Sequence, residues 1–142
     1  MIYFMNLTSL LSDNISEILA LLIEFTHTRQ RILIQNIINS HVPGFMPKEL
    51  EVDEFSNLLS FAIDEHIRTQ RLVLCDTENI KFDSDGNLDI TPIDDEQGKE
   101  LIEDNIDGYL ELQINKLWEN SLSQKVAAEL LKQKQDFFSS KF

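Results

Sequence analysis

One helical pattern and the break that ends it constrain this chain more than any other feature. Side chains of one seam recur at alternating steps of four and three residues. They are Leu11, Ile15, Ile18, Leu22, Phe25, Arg29, Ile32 and Asn36. This spacing is typical of a helix that packs along a partner helix. It predicts a helix from about Ser12 to about Asn39, roughly 40 Å long at 1.5 Å per residue, and therefore an elongated molecule.

The seam has apolar flanks and two polar interruptions. The flanking residues Leu19, Leu21, Ile23 and Leu33 predict that the helix is covered on more than one side. Arg29 and Asn36 interrupt the seam, and two interpretations of them stay open. They lie at a helix end or with their polar tips in solvent, or they contact a neighbouring subunit and fix its register.

The break at Pro43-Gly44 ends the helix, because the residue before a proline is driven out of the helical region. After it, Met46 to Glu51 is predicted to be an extended connector. Asp53 is a predicted N-cap for an amphipathic helix of at most four turns. Its apolar residues are Phe55, Leu58, Leu59, Ala62, Ile63 and Ile67.

The segment from Arg71 to Lys99 has a different pattern. Short apolar runs, Leu72 to Leu74 and Ile80 to Phe82, precede a turn and a returning strand over 83–90, which predicts a β-hairpin. The turn is rich in oxygen ligands, but the calcium-loop spacing puts Lys81 where an acidic residue is required, which favours a solvated turn. Thr91 to Lys99 is predicted to be a mobile acidic loop, followed by a helical turn or two that contain Leu101, Ile102 and Ile106.

A second long helical pattern follows Gly108. Its apolar residues, on a broad helical face, are Leu110, Ile114, Leu117, Trp118, Leu122, Val126, Leu130, Leu131, Phe137 and Phe138. Trp118 and the phenylalanines are interpreted as packing residues. The predicted fold is mainly α: an elongated antiparallel pair of long N- and C-terminal helices, over 1–40 and 108–142. The small, irregular, acidic middle region, over 41–107, contains the connector, the short helix, the hairpin and the acidic loop.

Composition excludes several classes of function. With 25 acidic and 12 basic side chains, the chain would repel the phosphates of nucleic acid and the surface of an anionic membrane. A single cysteine allows neither an internal disulfide nor a cysteine-based zinc site. The early run Ile15 to Phe25 is too polar for a spanning helix or a cleavable signal.

No set of catalytic residues emerges from the sequence. His27, His41 and His66 have no partner set, and no metalloprotease helix, nucleophile elbow, phosphate loop or dinucleotide fingerprint is present. We therefore expect a protein that is not an enzyme and that uses no cofactor, metal or small-molecule substrate.

The segment from Asn36 to Phe45 resembles the Asn-Ile-Ala-Asn-x-x-Thr-Pro-Gly-Tyr signature of the flagellar axial proteins, which form the bacterial rod and hook. The chain's short length, its brief middle region and the immediate Pro-Gly are similar to the FlgB family of proximal rod proteins. Lys116 to Asn120 resembles the segment that opens that family's last helix. The chain departs from the family pattern at Ile38, Val42, Phe45 and Gln124. The family's Gly-Asn before the last helix matches either Gly86-Asn87 or Gly108.

The resemblance implies a structural function. Family members are exported unfolded, without a cleaved signal, and assemble in the periplasm into a helical rod built from paired terminal helices. The implied partners are other copies, other rod proteins, the basal-body ring and the export gate. The residues implied at subunit interfaces or in the family motif are Arg29, Asn36, Ile37, Asn39, Pro43, Gly44, Phe45, Leu117 and Asn120. The alternative is a small acidic helical chaperone or adaptor that holds an amphipathic helix of a partner in the cytoplasm.

Overall fold

Two long helices pair along the chain's first and last segments. The structure, a computed structural model, describes residues 2–141, with side chains described over 14–137 and 139–140. Helix α1 spans Ile2–Ile38 and α4 spans Ile106–Lys141. Asn36 in α1 meets Gln113 in α4, whereas Thr26 meets Asn120, so the two helices run antiparallel. The mainly α fold with paired terminal helices is confirmed.

Helix α1 is longer than expected but ends where the sequence indicated. It begins at Ile2 rather than near Ser12, since neither glycine nor proline occurs before Pro43 to interrupt it. The backbone leaves the helix after Ile38, and Gly44 adopts a φ of 75° in the turn that reverses the chain. That positive φ is strained for any residue with a Cβ. Leu11 and Phe138, two of the expected helix-face residues, lie outside the described side chains.

The middle region contains more regular structure than expected. Its elements are β1 (Lys48–Glu49), α2 (Val52–Thr69), β2 (Ile80–Phe82), β3 (Leu88–Ile90), β4 (Ile93–Asp94) and α3 (Glu96–Asp104). Strands β2 and β3 form the predicted antiparallel hairpin, with Lys81 opposite Asp89. Leu72 to Leu74 form no strand and are half-buried against the core.

Helix α2 differs from its prediction at its start and in length. Its N-cap position is Glu51 rather than Asp53, and no side chain caps it there. It spans 18 residues, or about five turns, rather than four. Phe55, Leu58, Leu59 and Ala62 are buried, as the amphipathic pattern predicted.

The predicted mobile loop over Thr91 to Lys99 is wrong. Its first part forms β4, which pairs antiparallel with β1 and sets Lys48 opposite Asp94 and Glu49 opposite Ile93. Its second part starts α3, where Asp95 accepts a hydrogen bond from the Gly98 N–H at 2.9 Å. This N-terminal cap satisfies a backbone donor that the helix itself leaves free. The acidic residues therefore belong to a short strand and a helix start.

The apolar core lies where α1, α2 and the β2–β3 hairpin meet. Its buried residues are Ile18, Leu21, Phe25, Leu50, Phe55, Leu58, Leu59, Ala62 and Ile80. Phe25 and Phe55 stack with ring centroids 4.0 Å apart. Helix α1 contacts α2 and β3 as well as α4, which confirms that it is covered on more than one side.

Candidate functional site

Buried polar groups hold α1, β1 and α4 together where the chain reverses, and we call this group the polar joint: Arg29, Asn36, Glu49, Asp95, Tyr109, Gln113 and Lys116. Asn36, only 1% exposed, lies at its centre. Asn36 Nδ2 donates to the Lys48 carbonyl at 2.8 Å and to Gln113 Oε1 at 3.0 Å. Its Oδ1 accepts from the Lys48 N–H at 3.0 Å. Both polar atoms of Asn36 are thus engaged within the chain, and its burial contradicts the interpretation that its polar tip lies in solvent.

Ion pairs form the second part of the polar joint. Arg29 makes two parallel hydrogen bonds to the Glu49 carboxylate, each 3.1 Å, and Lys116 Nζ lies 3.2 Å from Glu49 Oε2. Lys116 Nζ is also 3.7 Å from Asp95 Oδ2. Burial raises the pKa of Glu49, but hydrogen bonds and charge from Arg29, the Leu50 N–H and the charge of Lys116 outweigh it. The net pKa is therefore lower than usual. The joint thus contains two cations, Arg29 and Lys116, and two anions, Glu49 and Asp95.

Tyr109 supplies the aromatic ring of the polar joint. It is fully buried, and its hydroxyl donates to the Asn36 carbonyl at 2.8 Å. Burial, with a smaller effect of the nearby Asp95 charge, raises the pKa of Tyr109 from 10.0 to about 12. The neutral phenol is therefore the form that the folded chain prefers.

We expect the stability of the chain to fall as the pH rises from about 10 towards 12. A group whose pKa is raised on folding contributes stability below its unfolded pKa and loses that contribution as the pH rises through its folded pKa. Tyr109→Phe removes this dependence and, below pH 9, lowers the free energy of unfolding by about 1 kcal/mol through the lost hydrogen bond. Urea unfolding at pH 8 and pH 11 measures both effects. Thr28→Val is the control, because it removes a hydroxyl whose hydrogen bond to the Glu24 carbonyl is exposed. An equal change in both variants would contradict the role of Tyr109.

The structure distributes the expected motif residues among different environments. Arg29 and Asn36 lie in the polar joint. Asn120, 3% exposed, lies at the contact between α1 and α4, where it donates to the Thr26 carbonyl at 2.7 Å. The half-buried motif residues are Ile37, Asn39, Phe45 and Leu117, and the exposed ones are Pro43 and Gly44. Asn39, the residue after the end of α1, donates to Gln35 in that helix. The motif is therefore not one continuous surface.

Sequence reasoning missed five members of the joint: Glu49, Asp95, Tyr109, Gln113 and Lys116. A signal for part of this set was present in the sequence. Tyr109, Gln113, Lys116 and Asn120 follow at steps of four, three and four residues, a seam that α4 directs towards α1. The sequence instead predicted that the apolar residues of α4 form its packing face, although most of them lie elsewhere on the helix.

An exposed apolar stripe runs along α4. Its members and exposures are Ile114 53%, Trp118 74%, Leu122 57%, Val126 51% and Leu130 49%. Trp118 was interpreted as a packing residue, but within the chain it is mostly uncovered. The residues of α4 that face α1 are largely polar, and they displace the apolar stripe to the outside. Exposed apolar stripes of this kind mark interaction surfaces.

A groove lies between α2 and α4 above α1, and we call it the α2–α4 groove. It has a volume of about 340 Å³. Its lining includes Leu22, Val52, Leu59, Ile63, Asn120 and Ser123. A second hollow of about 350 Å³ shares Leu22 and Ser123 with it and extends it along α4 past Val126 and Leu130.

Charge is divided unevenly between the two parts of the chain. Residues 48–107 contain 18 acidic and five basic side chains, whereas residues 1–47 and 108–142 together contain seven of each. The whole net charge of −13 therefore belongs to the middle region. The paired terminal helices are neutral overall.

The histidines lie apart from one another. His66 Nδ1 is 3.2 Å from Asn14 Nδ2, and His27 Nε2 is 2.9 Å from Gln124 Nε2. His41 lies exposed in the turn. Within the described part of the chain, no three His, Cys, Asp or Glu side chains are grouped to hold a metal ion. None of the described helices combines the length and the apolar character needed to cross a membrane.

Comparisons with protein-family models, with curated proteins and with solved structures found no match to this chain.

Proposed function

We propose that the chain is a structural subunit of the bacterial flagellar rod, similar to the FlgB proximal rod proteins, and that it assembles through its terminal helices. The observation that carries this proposal is the segment from Asn36 to Phe45. It combines the residues that resemble the axial-protein signature with a helix end and chain reversal held by a buried asparagine. The same segment thus separates a long helix from a compact middle region.

The surface of the helical pair supports assembly. A subunit of a rod buries one face of each terminal helix inside itself and needs another face for its neighbours. Helix α4 has both, since its polar seam faces α1 and its apolar stripe is exposed. The neutral helical pair allows copies to approach one another, whereas the acidic middle regions would repel one another at close range.

The proposed setting is the periplasmic basal body. Export through the flagellar type III apparatus, without a cleaved signal, would deliver the chain there. Its neighbours would be other rod proteins, the basal-body ring and the export gate. Assembly in the rod contributes to flagellum-dependent motility. The polymer would be a helical homo- or hetero-oligomer.

Recovery with basal bodies tests this function. We expect an epitope-tagged chain to copurify with flagellar basal bodies, and deletion of its gene to abolish swimming in soft agar. Asn39→Ala should leave expression and folding unchanged and lower recovery with basal bodies, because Asn39 is a motif residue whose partner side chain within α1, Gln35, is exposed. Gln133→Ala on α4 is the matched control, because Gln133 pairs in the same way with Glu129 one turn away. Normal swimming of the deletion strain would overturn the proposal.

The α2–α4 groove favours a second candidate, a small acidic helical chaperone or adaptor in the cytoplasm. Apolar grooves between helices bind amphipathic partner helices. Cell fractionation separates the two candidates. A soluble cytoplasmic complex with an export substrate supports the adaptor, and sedimentation with basal bodies supports the rod subunit.

A further inference from the structure

The α2–α4 groove is a hollow, whereas the outer side of α4 carries projecting side chains, so the two surfaces are complementary in shape. The groove is a hollow between two helices with Leu22 at its floor and Val52, Leu59 and Ile63 along one wall. The outer side of α4 carries Ile114 and Trp118, and Trp118 is the most exposed of the large apolar side chains described. An indole projecting from a helix is a shape that fills a hollow of this size.

A chain cannot fill its own groove with its own Trp118. Trp118 follows the buried Tyr109 by nine residues, which is about half a turn around the helix at roughly 100° per residue. Trp118 therefore projects away from α1, whereas Ser123 and Asn120 border the groove beside α1. The ridge formed by Ile114 and Trp118 and the α2–α4 groove therefore lie on different sides of α4.

We propose that the α2–α4 groove binds the Ile114–Trp118 side of α4 from a second copy of this chain. This inference rests on the proposed function and specifies the contact between subunits. The polar side chains that border the groove are mostly uncharged, and the one charged side chain, Arg29, is paired with Glu49 at 3.1 Å. The uncharged ones are Thr26, Ser56, Ser60, Asn120 and Ser123. A neutral helix is the part of a second copy that suits this border, because the terminal helices are neutral overall and the middle region holds the entire charge of −13.

The symmetry of this contact follows from its two different surfaces. A ridge on one copy meets a groove on the next, so each copy keeps one free ridge and one free groove. Such head-to-tail contacts form rings if the rotation closes and open helical filaments if it does not. A contact of this type extends a rod, whereas a self-complementary contact would stop at a dimer.

Replacing the ridge tests the contact. We expect Trp118→Ala to weaken self-association of the purified full chain by about 30-fold in sedimentation velocity, the effect of losing a central tryptophan at an interface. The monomer should keep its helical circular dichroism, since Trp118 is 74% exposed. Phe61→Ala is the matched control, an aromatic on α2 that is 46% exposed and outside the groove lining. Equal weakening by both variants, or none by Trp118→Ala, overturns the proposal.

Cross-linking between differently tagged copies tests the geometry. The exposed Cys75 is first replaced in a Cys75→Ser background. Copies with Asn115→Cys, at an exposed position one turn before Trp118 that leaves the tryptophan in place, are then mixed with copies carrying Ser60→Cys at the groove. We expect a disulfide-linked pair that contains both tags. Asp85→Cys, on the hairpin turn, is the control that should not link to Ser60→Cys. A link only between two Asn115→Cys copies would indicate a self-complementary contact and overturn the proposal.

Failure of this contact is distinguishable from failure of the rod function. If the wild-type chain copurifies with basal bodies but cysteines at positions 115 and 60 never link, the groove contact is wrong and the rod function stands. If the purified chain stays monomeric at about 100 μM, where standard-size interfaces are normally populated, the groove contact is overturned as well. Recovery with basal bodies then decides the rod function by itself.

Discussion

Asn36→Ala is expected to lower the free energy of unfolding by about 2–4 kcal/mol. Asn36 makes three hydrogen bonds that join α1 to β1 and α4, two with the backbone of Lys48 and one with Gln113 Oε1. Alanine removes all three, and it leaves the partly buried N–H and C=O of Lys48 and the buried Oε1 of Gln113 without this partner. The loss is large because such atoms retain the cost of desolvation without the compensating bond.

The measurement is urea unfolding at pH 7, followed by circular dichroism. Asn39→Ala is the matched control three residues later, where the side chain bonds only within α1 to Gln35. We expect the control to change stability by less than about 0.5 kcal/mol. Similar unfolding midpoints for both variants would contradict the proposed position of Asn36 at the centre of the polar joint.

This outcome distinguishes two interpretations of the same asparagine. A residue that pairs only with a neighbouring subunit would affect assembly and leave the monomer's stability unchanged. Asn36 is 1% exposed within one chain, so its substitution should destabilise the monomer before any assembly. An assembly defect of Asn36→Ala therefore has to be compared with the loss of stability of the same variant. An assembly defect of Asn39→Ala reports on the contact between subunits directly.

The long helices and the C-terminal end of α1 were predictable because they depend on local signals. The seam from Ile15 to Asn36 has a helical period, and Pro43-Gly44 provides a stop that needs no tertiary contact. The hairpin is also local, since Asp83 Oδ1 accepts N–H bonds from Asp85 and Asn87 within the turn itself. Elements fixed by neighbours in sequence are the ones that sequence patterns reveal.

The β1–β4 pair and α3 were not predictable because distant parts of the chain determine them. Strands of two residues have no measurable period, and Lys48 pairs with Asp94 across 46 positions. The run Asp94-Asp95-Glu96 looks like a solvated loop when read locally. Its second residue, Asp95, caps α3 through the nearby Gly98 N–H and also lies 3.7 Å from Lys116, a contact that exists only after α4 is packed.

The candidate site was predictable in part for a related reason. Arg29, Asn36 and Asn120 were singled out as motif residues, and all three lie at contacts that join α1 to other parts of the chain. Their partner Glu49 has no distinguishing local pattern, and Gln113 belongs to a seam on α4 that is polar. For α4, apolar residues were expected to form the packing face, but the contact of α4 with α1 is largely polar.

Glu49→Ala is the second substitution with a large expected effect, a loss of about 2–4 kcal/mol in the free energy of unfolding. The Glu49 side chain is 15% exposed and is the shared partner of Arg29, 13% exposed, and Lys116, 24% exposed. Removing the carboxylate leaves two cations close together with little water to stabilise them. Glu103→Ala is the control, since Glu103 is 63% exposed in its pair with Lys99 and should cost less than about 0.5 kcal/mol.

The pH dependence of stability tests the same carboxylate by an independent route. Because the pKa of Glu49 is lowered on folding, its contribution is present above the ordinary pKa of 4.5 and is lost as the pH falls through the lower folded value. Glu49→Gln should therefore be less stable than wild type at pH 7, and the difference should shrink as the pH falls below 4.5. Urea unfolding of both proteins from pH 7 to pH 3 measures this convergence. A constant difference over that range would mean that the contribution of Glu49 comes from its shape and not from its charge.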